Sequence, residues 1–180
     1  MKLVRMAAIL GLVAVAMAGS LNGDENDGAD LPHVRCDGRR LMFGWHGGSP
    51  HKIDVSNLIR ASMLETAHVL AAERSGDVNY FVVSVSGPSQ VEGVSSATTS
   101  AGTESNLLWL KLRAWKVLDS QSMLYESFYD GLQPIGDYHL KGGVLTLRYT
   151  NTRESTSYVL RYDSSKPEAK ISVARASEVE

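Results

Sequence analysis

Between Asn106 and Ala174 alternating apolar residues recur between turn-forming residues, the rhythm expected of successive antiparallel strands. In Val144–Thr150, Leu145, Leu147 and Tyr149 fall on one face while Thr146 and Arg148 fall on the other, the pattern of a half-solvated sheet. Tyr158, Leu160 and Tyr162 repeat it, and Ile171 with Val173 suggests a short last strand. Lys141-Gly142-Gly143 supplies glycines for a tight hairpin, and Asp130-Gly131, Asn151–Ser155 and Ser164–Pro167 supply the other breaks. Five or six strands with such short connections suit antiparallel neighbours, not parallel crossovers.

The stretch 107–118 is more ambiguous. Leu108, Leu110, Leu112 and Ala114 alternate with Trp109, Lys111, Arg113 and Trp115, which predicts a strand with an aliphatic face and an aromatic and basic face. Leu107, Leu110, Ala114 and Val117 also meet helical spacing, but a helix would scatter Lys111, Arg113 and Lys116 round its surface. The expectation is strand, with a turn at Asp119-Ser120.

Upstream, the pattern changes. From Asn57 to Arg74, Ile59, Met63, Ala67 and Leu70, with Leu58, Ala61 and Leu64, recur at helical spacing. Asp54 or Ser56 offers an N-cap and Gly76 a stop, so the spacing predicts one amphipathic helix packed on the sheet. Arg40–Trp45 and the Val-rich Val78–Ser86 read as further strands, the second buried and ending at Gly87-Pro88, with a short return strand over Gln90–Val94. Residues 95–105, largely Ser, Thr, Ala and Gly, read as an exposed loop.

The first residues read as a leader. Lys2 and Arg5 precede an apolar run from Met6 to Val15, and Ala16-Met17-Ala18 forms a small-residue cleavage site, so residues 1–18 are expected to be a signal peptide and the protein secreted or periplasmic. Residues 19–32, with Asp24, Glu25, Asp27 and Asp30 among Gly and Asn, are expected to be an acidic flexible linker, since their spacing does not make a calcium loop. What remains, 33–180, is expected to be a single α+β domain: a curved antiparallel sheet of about six to eight strands carrying one helix. No segment after the leader is apolar enough to span a membrane.

Composition narrows function. Without residues 1–18 the chain has sixteen basic against twenty acidic residues, too mild and too acidic a balance for nucleic-acid binding. Cys36 is the sole cysteine, so no disulfide forms within one chain and burial must hold the fold. His46-Gly47-Gly48 has the backbone chemistry of an oxyanion hole but lacks a Gly-x-Ser-x-Gly partner, and Ser84 and Ser86 have no base placed beside them. No motif implies a cofactor.

Two sets of residues stand out. Trp109, Lys111, Arg113 and Trp115 would form one strand row able to stack on a ring or grip an acidic partner. His33, Cys36, His46 and His51 are ligand types suited to zinc or copper within a short span, although their spacing matches no standard finger. The function expected is a non-enzymatic exported binding module of unidentified small-molecule or protein partner, using a sheet face. The alternatives are an envelope-associated structural or protein-interaction domain and a metal-binding protein built on the histidine and cysteine set.

Overall fold

The structure, a computed structural model, describes residues 31–45, 48–89 and 102–178. Twelve strands run through them: β1 His33–Asp37, β2 Arg40–Gly44, β3 His51–Asp54, β4 Thr66–Ser75, β5 Val78–Pro88, β6 Thr103–Arg113, β7 Lys116–Ser127, β8 Leu132–Pro134, β9 His139–Lys141, β10 Val144–Asn151, β11 Thr156–Asp163 and β12 Ser172–Arg175. β1–β3 make a small antiparallel sheet in chain order, and β4–β8 with β10–β12 make a large antiparallel one in which β10 also carries β9.

The large sheet is buried on both faces at its middle. Val78, Tyr80 and Val82 of β5 and Leu107 and Trp109 of β6 pack with Leu145, Leu147, Tyr149, Leu160 and Tyr162 of β10 and β11, so the sheet curls over its own C-terminal half. The alternate residues Phe81, Val83, Val85, Leu108, Leu110 and Leu112 meet Leu41, Phe43 and Ile53 of the small sheet. Trp109 and Leu108 are both fully buried although they point to opposite sides. Two-sided burial accounts for the unbroken apolar runs of β5 and β6, because neither face needs polar residues.

These strands overturn the α+β expectation: the fold is nearly all β, and no α-helix occurs among the described residues. The segment 57–74 is no helix. Its second half is β4, paired with β5 along its length, and the register slips between Val69 and Ala71. That bulge leaves Leu70 and Ala71 facing the C-terminal core together, whereas Ala67, Val69 and Ala72 pack towards the small sheet. A bulged strand apolar on both faces thereby reproduces the three- and four-residue spacings of a helix, and pairing overrides helix propensity.

The first half of that segment is an irregular cover over the small-sheet core, burying Ile59, Ala61 and Leu64. Its backbone groups find distant partners in place of helical ones: Leu64 N donates to Gly38 O, Glu65 N to Ser86 O and Ser62 N to Pro88 O. Arg39 donates from its guanidinium to the carbonyls of Ser56 and Ile59, both at 2.6 Å. The amphipathic pattern is thus met by coil held from outside.

Two further corrections concern β6. The chain turns at Ala114-Trp115, earlier than Asp119-Ser120, so 107–118 is the end of one strand and the start of the next. Thr103, Glu104 and Ser105 belong to no exposed loop; they pair with Pro88, Gly87 and Ser86, and Glu104 and Ser105 are buried. The hairpin at Gly142-Gly143, the break at Gly131 and the strands β10–β12 fall where the sequence places them. The leader 1–18, linker residues 19–30, the return strand over Gln90–Val94 and the rest of the loop up to residue 101 lie outside the described residues. Among the described residues no helix is long and apolar enough to cross a membrane.

Candidate functional site

The hairpin turn between β6 and β7 has only two residues, Ala114 and Trp115, and both have positive φ, 47° and 62°. Such a turn matches the twist of the flanking strands, and its positions are ordinarily filled by Gly, Asn or Asp, because a Cβ there crowds the backbone. Strain of this kind persists where surrounding contacts hold it. Here the contacts are made by the indole. Trp115 lies parallel to the imidazole of His51 with ring centroids 4.2 Å apart and planes 9° apart. It also meets Phe81 and Phe43, each at 6.1 Å, and those two stack on each other at 5.0 Å.

This aromatic stack forms one wall of an open groove of about 570 Å³ at the end of the large sheet, where the small sheet meets the β4–β5 and β6–β7 hairpins. Trp45, which follows β2, faces the groove with 40 % of its surface exposed. Arg74 and Asn79, opposite each other across β4 and β5, bring polar groups to the rim, and the Arg74 Nε donates to Gly76 O at 3.1 Å within its own hairpin. The groove therefore offers flat apolar faces beside an amide and a guanidinium, groups that recognise ring-shaped ligands by stacking and edge hydrogen bonds.

The strand row expected from the sequence divides between different environments. Trp109 is core: fully buried, it donates from Nε1 to Pro167 O at 3.0 Å, and Lys170 lies over its ring at 5.5 Å. Lys111 lies over the Tyr80 ring at 5.7 Å, and Arg113 pairs with Asp77 at 3.0 Å. Only Trp115 reaches the groove, because the chain reverses before it and sends its ring towards the small sheet.

The histidine and cysteine set also divides. Register aligns Val34, Phe43 and His51 in one row and Cys36, Leu41 and Ile53 in another, both on the face turned to the core. His33 pairs with Gly44 one residue out of step, which puts it on the other face of the small sheet from Cys36 and His51. Burial raises the Cys36 thiol above its ordinary range, away from the thiolate that binds metals. Among the described residues no three His, Cys, Asp or Glu side chains come together as metal ligands, and His46 lies outside them.

Sequence reasoning named His51 and Trp115 in separate sets and missed that they stack. It missed Trp45 as a groove residue because that ring follows an ordinary strand. It passed over the turn because Ala-Trp carries no turn signal.

Fold and groove together define an all-antiparallel β protein of two packed sheets with an aromatic-walled opening at their junction. Comparison with protein-family models, curated proteins and solved structures found no match to this chain.

Proposed function

We propose that this chain is a small-molecule binding module, and that its ligand lies against the aromatic wall of Trp45 and Trp115, with the buried Phe81 behind it, and with its polar edge towards Arg74 and Asn79. The ligand class that suits the groove is a compact ring, planar aromatic or sugar, with hydrogen-bonding groups on its rim. The observation that carries the reading is the left-handed backbone at Ala114 and Trp115: a strained two-residue turn holds a large indole at an opening where glycine would relax the chain. The volume, about 570 Å³, lies within the range of small-molecule sites. The leader-like residues 1–18 support export of the module.

Tryptophan emission gives the test. Protein purified without refolding is titrated with a panel of monosaccharides, disaccharides and nitrogen heterocycles, alongside the Trp115→Leu and Asn79→Ala variants. A saturable emission change with one class, weakened in both variants while circular dichroism stays the same, is the expected result. Absence of saturation across the panel, together with no small molecule retained in native mass spectrometry, would sink the proposal.

A further inference from the structure

A second groove lies away from the aromatic wall, on the outer face of the C-terminal strands. It holds about 590 Å³ and is lined by residues of β9, β10, β11 and the segment before β9. We propose that this groove binds a small anion, a phosphate or sulfate group either free or esterified to a compact organic body.

Strand register assembles the cations. His139, Thr146 and Arg161 stand in one row across β9, β10 and β11, with neighbouring strands roughly 5 Å apart. Arg148 lies two residues further along β10, about 7 Å from Thr146, and Lys141 lies two residues further along β9 in the opposite strand sense. Their alternation with Leu145 and Leu147, which point into the core, puts these side chains on the outer face. Three permanent cations and an imidazole thus surround the hydroxyl of Thr146.

The carboxylates offset them only in part: Asp163 stands in one row with Val144 and Lys141 and feels the charge of Arg161, and Asp137 lies in the lining. Elsewhere on the surface the chain pairs its charges: Lys52 with Asp37, Arg60 with Asp130, Arg113 with Asp77 and Lys170 with Asp119, all within 3.0 Å. Among the described residues no ion pair involves Lys141, Arg148 or Arg161. Asp163, the nearest acid on β11, gives one carboxylate oxygen to the backbone N–H and hydroxyl of Ser165, at 3.0 and 2.6 Å. Asp137 is the one acid in the lining; it lies two residues from Ile135, whose N–H donates to the Arg148 carbonyl at 2.9 Å, and so at the Arg148 end of the groove. The cluster stays positive on a chain whose net charge is −2. Two guanidiniums beside a hydroxyl suit the tetrahedral oxygens of phosphate or sulfate, which accept paired N–H bonds. Ile135 at the Arg148 end and Val144 at the Lys141 end give the lining apolar surface for an organic remainder.

The test is differential scanning fluorimetry and calorimetric titration with inorganic phosphate, sulfate and phenyl phosphate, with sodium chloride added to hold ionic strength constant. The expected result is a saturable rise in melting temperature, with affinity reduced at least about tenfold in the Arg148→Gln, Arg161→Gln double variant, as losing two charge-assisted contacts implies. Arg113→Gln, already paired with Asp77 outside this groove, serves as control and is expected to bind like the parent. Tighter binding of phenyl phosphate than of phosphate identifies an ester as the ligand; equal binding identifies the free anion. A shift no larger than that produced by sodium chloride alone, or one undiminished in the double variant, overturns the proposal. Trp115 lies outside this groove, so Trp115→Leu leaves the anion response intact and separates this outcome from that of the aromatic groove.

Discussion

Replacing each of two tryptophans by phenylalanine separates the scaffold from the site. Trp109 is wholly enclosed, and its N–H is the partner of the Pro167 carbonyl. Trp109→Phe removes that donor, at about 1 kcal/mol, and leaves a void where the smaller ring does not reach, on the order of another 1 kcal/mol. Contact with the Lys170 ammonium weakens as well, by roughly 0.5 kcal/mol for an exposed cation on the better aromatic ring. The sum is about 2–3 kcal/mol, a large fraction of the stability of a domain this size. Trp115→Phe keeps an aromatic ring against His51, Phe43 and Phe81 in a half-exposed place and costs about 1 kcal/mol or less. Urea unfolding followed by far-ultraviolet circular dichroism measures both, free of the change in emission that removing an indole brings. Loss of equal stability from the two substitutions, or a larger loss from Trp115→Phe, would refute the assignment of Trp109 to the core and Trp115 to an open groove.

Ala114→Asn places a residue tolerant of left-handed backbone at φ 47° and should raise stability by roughly 0.5–1 kcal/mol, read as a higher urea midpoint. Gly87→Ala should destabilise strongly, by about 3 kcal/mol or more, because the added Cβ would lie 1.9 Å from Met63 O and 3.2 Å from the Ala61 Cβ; a melting temperature near that of the parent would contradict the close packing of the irregular cover on β5. Burial pushes the Glu104 carboxyl above its ordinary value of 4.5, so the folded chain holds this proton more tightly than the unfolded one. Its contribution to stability is therefore greatest below about pH 4.5 and is lost as pH rises through the raised value; Glu104→Gln should be free of that loss, and identical pH profiles of melting for variant and parent would refute it.

How much of this was readable beforehand depends on which faces meet water. β10 alternates an apolar with a polar face and β11 does so apart from the buried Val159, so their period was plain, and the glycines at 142 and 143 marked the turn between β9 and β10. β5 showed as a buried strand, but nothing in its residues says that a second sheet covers it. β4 was misread because its bulge and its two-sided burial erase the alternation that identifies a strand. The turn at Ala114-Trp115 had no signature, since its conformation is imposed by packing of the indole and not by local preference. The groove follows the same logic. His51 and Trp115 were each noticeable, but their stacking depends on a sheet-to-sheet contact between residues 64 positions apart in the chain.

The doubly covered β5–β6 pair also governs the order of events during synthesis. Leu41, Phe43 and Ile53 emerge from the ribosome well before Phe81, Leu108 and Leu110 exist to receive them, and three strands of four or five residues cannot shelter such side chains alone. The nascent N-terminal sheet must wait, its greasy side exposed, until the middle of the message has been read. Chaperones that hold unfinished chains would find a foothold there.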